Sequence, residues 1–243
     1  MYSEDALRRV SLPTKTETYT PISHGDMIDT IRSCMNQNDL NITDSVYRAS
    51  ENGNKLIGSF HFDFDNSELG GQIVFRNSYD KSMSAALAVG TIVWICSNGM
   101  IGSNNEFVLR RKHTGTADSE IFQYTQNAIN SYGELHRMIQ RDVEKMKEIP
   151  LRKIELAHLI GEMYLNEELM TATQLGIIKK EMDFSKHFPI VDNIATLWQI
   201  YNWCTESYKK SHPMHYLQDH MNLHQYMQTE MSKYEMDEPL IFN

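Results

Sequence analysis

The chain has 243 residues, 41% of them apolar, which is enough for a sizeable core in one large domain or two small ones. Its formal charge of −9 argues against a generally basic nucleic-acid binder. The longest apolar run, Ala85 to Cys96, is twelve residues, short of the roughly 20 needed to span a bilayer, so no membrane span is expected.

The first segment, residues 1–22, carries Pro13, Pro21 and a Thr/Glu/Lys-rich run, and reads as an arm that orders only by packing on something. Its start is polar and acidic with no hydrophobic leader, so a cytoplasmic location is expected. Ser23 is a helix N-cap, and Met27, Ile28, Ile31 and Met35 supply the apolar stripe of the helix that follows. Ser45 to Ser50 and Lys55 to Asp65 read as strands joined at Asn52-Gly53, a strong hairpin signal. Gly70-Gly71 reads as a second turn, and Gln72 to Asn77 as a third strand.

Lys81 to Cys96 reads as a buried helix, because its alanines and leucine favour helix and the run exceeds the usual strand length. Glu106 to Lys112 is a further strand with basic residues. Thr116 to Ser119 caps a long helix that ends at Ile149-Pro150. Helices then follow over Leu151 to Leu165, Thr171 to Met182, Ile190 to Tyr208 and Met214 to Tyr234. The fold class is α+β: a helix plus an antiparallel three-stranded meander with a buried helix over 23–115, followed by a helical C-terminal region over 116–243 packed on that core.

The charge is uneven. Up to Gly115 there are 11 Lys/Arg against 13 Asp/Glu, and from Thr116 onward 12 against 19. The acidity belongs mainly to the helical half, which leaves room for a local basic site in the first. Cys34, Cys96 and Cys204 lie far apart without CxxC spacing and read as free thiols in a reducing compartment. Walker, GxGxxG and GxSxG signatures are missing from the sequence, and no catalytic residue, cofactor or metal is expected.

Four segments stand out: Arg76-Asn77-Ser78-Tyr79-Asp80-Lys81-Ser82, Cys96-Ser97-Asn98-Gly99-Met100, Lys112-His113-Thr114-Gly115, and Thr196 to Glu206 (Thr-Leu-Trp-Gln-Ile-Tyr-Asn-Trp-Cys-Thr-Glu). Together they resemble the phage and plasmid family catalogued as domain of unknown function 932. That resemblance implies a mobile-element setting and carries no residue role with it. Separately, the element order resembles the core of single-strand annealing recombinases.

A nucleic-acid site on this plan draws charge from Arg76, Lys81, Arg110, Arg111 and Lys112, hydrogen bonds from Asn77, Ser78 and His113, and base stacking from Tyr79. The bland alternative is that Asn77, Ser78 and Asp80 form a turn and the Arg-Arg-Lys run is a solvated strand edge. The leading expectation is a non-enzymatic, oligomeric binder of single-stranded nucleic acid. The alternative is a protein-interaction module, an anti-defence or regulatory factor that meets a host or phage protein through its acidic helical half.

Two further patterns have ordinary explanations. His61, Asp63 and Asp65 share one strand face and could hold a divalent ion for phosphodiester hydrolysis, but a half-buried strand with its phenylalanines inward accounts for them. His212, His215, His220 and His224 read as a solvated helix face, although His220 and His224 have the i,i+4 spacing of zinc ligands.

Overall fold

A computed structural model describes residues 2–64, 68–101, 108–112, 117–212 and 214–236. The chain divides into two compact units, Met1–Trp94 with Asn104–His136, and Ile95–Ser103 with Arg137–Asn243. In chain order the elements are α1 (Glu4–Arg8), α2 (His24–Gln37), β1 (Ile42–Ala49), β2 (Lys55–Phe62), β3 (Leu69–Ser78), β4 (Ala85–Val93), β5 (Asn98–Met100), β6 (Val108–Arg111), α3 (Ala117–Asn130) and α4 (Tyr132–Glu148). There follow β7 (Pro150–Arg152), α5 (Lys153–Leu165), α6 (Ala172–Phe184), β8 (Ile194–Thr196), α7 (Leu197–Tyr208) and α8 (Tyr216–Met236). The α+β class holds, with an antiparallel sheet first and helices after it.

The expected N-cap is present: Ser23 Oγ accepts from the Asp26 amide at 2.8 Å. So is the hairpin, with Gly53 at φ 74° where a side chain would be strained. The expected turn at Gly70-Gly71 and the expected buried helix at Lys81 to Cys96 are both corrected. Gly70 and Gly71 lie inside β3, and Ala85–Val93 is a central strand paired to β3 on one edge and to β6 on the other. All nine β4 residues are buried. Apolarity on every side therefore reflects a strand enclosed on both faces, and the β-branched Val89, Thr91, Ile92 and Val93 outweigh the helix propensity of the alanines. The likeness of element order to annealing recombinases required that helix, and falls with it.

Cross-strand partners project to the same side of a sheet, so the register sorts the side chains. Tyr47, Gly58, Phe75, Leu87 and Leu109 form one row, with Phe60 opposite Ile73 in the next. This face carries the unit's aromatic core: Phe60 and Phe75 have ring centroids 5.3 Å apart, and Arg32 of α2 lies 5.5 Å from the Phe60 ring centre. Each fully buried phenylalanine is worth about 2 kcal/mol of transfer free energy. Glycines give these rings their space. A Cβ at Gly58 would stand 2.4 Å from Phe75, at Gly71 2.1 Å from Phe62, and at Gly70 2.0 Å from Trp94. The glycines read as a turn signal are the seats of aromatic rings.

In the second unit, Pro150–Arg152 and Ile194–Thr196 pair as a short antiparallel ladder where helix starts were expected. Thr196 then caps α7 through a capping box with Gln199, and Thr171 does the same for α6 with Gln174. The long helix expected from Thr116 to Glu148 is two helices divided at Ser131. Among the described residues no helix is long and apolar enough to cross a membrane.

An ion cluster ties the N-terminal helix to the first unit. Glu4 accepts from Arg32 at 2.6 Å, from Arg8 at 2.7 Å and from the Tyr47 hydroxyl at 3.0 Å, while Arg8 also reaches Asp29 at 2.6 Å. The Arg32 hydrogen bond leads in holding the Glu4 carboxyl down from 4.5 to about 2, against an opposing push from burial. Because the folded value lies below the unfolded one, the stabilisation is present above pH 4.5 and is lost as pH falls through about 2. Urea unfolding between pH 5.5 and pH 2.5 should show a smaller loss of stability in Glu4→Gln than in the parent; equal losses would place the acid sensitivity elsewhere.

Candidate nucleic-acid interface

The polar turn that ends β3 divides into an interior part and a surface part. Asn77 is fully buried, and its amide nitrogen meets the Ile22 carbonyl at 2.8 Å and His24 Nδ1 at 3.1 Å. His24 Nε2 lies 3.0 Å from the Gly53 carbonyl, which can only accept, so the imidazole donates there and accepts from Asn77. That fixes the neutral tautomer. Tyr79 stacks on the same imidazole with centroids 4.0 Å apart and planes 7° apart, and its hydroxyl accepts from the His24 amide at 2.7 Å. Asn77 and Tyr79 therefore staple the N-terminus of α2 to the end of the sheet. At 6% exposure the Tyr79 ring is not presented to a base. Ser78 is buried too and exchanges hydrogen bonds with Met83 across the turn. Asp80 accepts from the Ser82 amide at 3.0 Å and pairs with Lys55 at 3.4 Å.

The charge on the opposite sheet face is arranged by register. Arg48 pairs with Ile57, Ile57 with Arg76, Arg76 with Ala86, and Ala86 with Arg110. One row across five strands thus carries three arginines at alternate strands, about 10 Å between successive members at ordinary strand spacing. Arg110 is exposed, Arg48 half-buried and Arg76 buried. Burial, and then the charge of Arg110, lowers the proton affinity of Arg76. Arg48 was missed in the sequence, because a lone arginine in an alternating strand acquires its neighbours only when the register is known. Lys81 and Lys112, both exposed, stand at the same end of the sheet, beside the β3–β4 turn. Arg111 pairs with Ala85 in the adjoining row, and its side chain is outside the described residues, as is His113.

The three residues weighed as ligands of a divalent ion, His61, Asp63 and Asp65, fall in different settings. His61 is buried, meets Ser59 Oγ at 3.1 Å and Asp44 at 3.4 Å, and has its proton affinity lowered by burial. Asp63 lies beyond the end of β2 and Asp65 is outside the described residues. Among the described residues no group of three or more His, Cys, Asp or Glu side chains converges to hold a metal ion.

In the second unit two of the distinctive segments meet. Asn98 donates to the Asn202 carbonyl at 3.0 Å, Asn202 donates to the Trp198 carbonyl at 2.9 Å, and Lys209 donates to the Cys96 carbonyl at 2.9 Å. Burial drives the Cys96 thiol up to about 11, which makes it a poor nucleophile. The histidines expected on a solvated face are split. His212 and His215 are exposed, whereas His220 packs against Tyr208 and Tyr216, and His224 lies between Asp142 at 3.2 Å and the Tyr201 hydroxyl at 3.4 Å. The i,i+4 pair was an inward-facing stripe, because α8 turns that side to α7.

A family model described as "Domain of unknown function (DUF932)" matches residues 12–233. No curated protein matches the chain, and no solved structure does.

Asn77→Ala removes the donor to the buried Ile22 carbonyl and the partner of His24, and should lower stability by about 2 kcal/mol. The urea midpoint should fall with an unchanged slope; an unchanged midpoint would show that the turn does not depend on this amide.

Proposed function

We propose, for a chain that belongs to the DUF932 family and takes no assigned activity from it, that the arginine-bearing sheet face binds the phosphate backbone of single-stranded nucleic acid without catalysis. The role would be that of a single-strand-binding replication accessory protein of a phage or plasmid, acting as a homo-oligomer in the host cytoplasm. The observation that carries this reading is the row Arg48, Arg76, Arg110 on one face of one sheet, in which an exposed Arg110 and a half-buried Arg48 flank a buried Arg76 that adds to the local positive potential. Guanidinium groups suit phosphate oxygens because their paired donors match them bidentately. Lys81 and Lys112 add charge at the same end of the sheet, where Lys55 is already paired with Asp80. The overall negative charge then serves selectivity, since a strand would be attracted at one place only.

The test is fluorescence anisotropy of a labelled 30-nucleotide strand over a salt series. The parent should bind with an affinity that falls steeply with salt. Arg48→Glu with Arg110→Glu should weaken binding about tenfold or more and flatten the salt slope, with an unchanged circular dichroism spectrum. Equal affinity in parent and variant would reject this face as the site.

A second reading is favoured by a different observation: Ile154 (73% exposed), Leu165 (72%), Phe184 (79%) and Val191 (62%) all stand open on the second unit. Such side chains on an acidic helical region suit a protein partner, in the manner of an anti-defence or regulatory factor. If so, Ile154→Ser with Phe184→Ser should lose a partner that the parent retains specifically from a host lysate. Identical recoveries from parent and variant would dismiss it.

A further inference from the structure

We infer that the apolar rim of the cleft formed by the start of α5, the end of α6 and the turn before β8 is the surface through which two copies of this chain join across a two-fold axis. The inference rests on the first reading above, in which the chain acts as a homo-oligomer, and adds to it the surface and the residues that form the contact. All of its parts belong to the second unit.

The cleft, of about 490 Å³, is lined among others by Lys153, Asp183, Ile190 and Asp192. Its rim consists of their chain neighbours: Ile154 follows Lys153, Phe184 follows Asp183, and Val191 stands between Ile190 and Asp192. Val191 in turn bridges to Ile194, whose amide donates to the Val191 carbonyl at 2.9 Å. Between them Asp192 at φ 52° and Asn193 at φ 61° form a tight hairpin turn, in the left-handed conformation that Asp and Asn adopt more readily than most side chains. Cross-strand partners project to one side, so the turn presents Val191 and Ile194 together. Ile154, Phe184, Val191 and Ile194 are all exposed. Four large apolar side chains around one cleft exceed the scattered single ones of an ordinary surface.

The charges select the occupant. Lys153, Asp183 and Asp192 are exposed, come from different elements, and make no ion pair or side-chain hydrogen bond among the described residues. The adjacent Arg152 and Glu155 pair with each other at 2.5 Å, and Lys186 beyond Ser185 is exposed. A patch of one sign repels its own image. A patch with both signs around an apolar centre is complementary to itself, because a two-fold sets the lysine of each copy against the aspartates of the other. Elsewhere this half of the chain repels a second copy, since from Thr116 onward 12 Lys/Arg stand against 19 Asp/Glu. Association is therefore favoured only in the register that pairs these charges. The apolar side chains supply the centre of such an interface and the charges its rim.

The experiment is sedimentation equilibrium of the full chain over a concentration series, with two kinds of variant. The parent should associate to a dimer. Phe184→Ser with Val191→Ser removes side chains that are open to solvent in one chain, and should raise the dissociation constant about a hundredfold with an unchanged circular dichroism spectrum. The second kind exchanges charge. Lys153→Glu places an acid in the first turn of α5, and Asp183→Lys a cation in the last turn of α6, where the helix dipoles favour them. Asp192→Asn accompanies Asp183→Lys to remove the remaining acid. Each charge variant alone should dimerise about tenfold more weakly than the parent. An equimolar mixture of the two should recover the parent affinity as a heterodimer, because each lysine then faces an acid again.

A parent that stays monomeric at high concentration would overturn the interface. So would a dimer that the apolar variant leaves intact, by placing the contact elsewhere. Charge variants that dimerise like the parent, or that are weakened alone and not rescued by mixing, would reject the two-fold pairing. A monomeric parent that holds a host protein through Ile154 and Phe184 would give the face to a different partner and overturn self-association. Strand binding is read separately by anisotropy. A monomeric apolar variant that still binds a strand leaves the arginine row standing beside the interface; a parent that dimerises through this face yet binds no strand leaves the interface standing and the row rejected.

Discussion

The register of β3 is the constraint on which the first unit depends. Every residue of this strand is buried, with Phe75 and Ile73 on one side and Arg76, Val74 and Gln72 on the other. A slip by one residue would exchange the two sides, driving a guanidinium into the aromatic core and phenylalanine onto the charged face. The cost would be that of burying an unpaired charge, far above anything the backbone ladder could recover. The glycine seats block that slip. Phe75 fits over Gly58 and Phe62 over Gly71 in only one alignment, so ring packing determines where the arginines stand.

This division explains why the distinctive turn from Arg76 to Ser82 serves two ends at once. Its inward members, Asn77 and Tyr79, satisfy the buried imidazole of His24 and hold the start of α2. Its outward members, Lys81 and Ser82, stand exposed. A buried amide and an exposed ammonium four residues apart thus act on different problems, one of stability and one of surface charge. In the second unit Asn98 and Asn202 repeat the inward role, with side-chain amides supplying hydrogen bonds between segments distant in sequence.

Local signals were legible in the sequence. Ser23 ahead of an amphipathic run and Asn52-Gly53 between extended segments depend on contacts within one turn of chain. Thr171 and Thr196, each three residues before a capping glutamine, carried the same kind of signal and were passed over, Thr196 inside a helix read from Ile190. What was not legible depends on partners far along the chain. Ala85 to Val93 has the propensity of a helix and the environment of a strand, and only its pairing with β3 and β6 decides between them. Gly70-Gly71 looks like a turn until the rings of Trp94 and Phe62 are placed on it. Of the cationic residues singled out in the sequence, Arg76, Lys81, Arg110 and Lys112 do share one end of the sheet. Arg48 joins them through register alone, and Asn77 and Tyr79 prove to be interior.

The glycine seats also set an order on how such a sheet can change over generations. At Gly71 a methyl group would collide with Phe62 at 2.1 Å, so no side chain can be gained there while that ring remains. Loss of the ring leaves a void that costs stability but can be endured for a time. Divergence at these pairs therefore runs in one direction, aromatic residue first and glycine second, and a descendant carrying a larger residue at position 71 records a ring already lost at position 62.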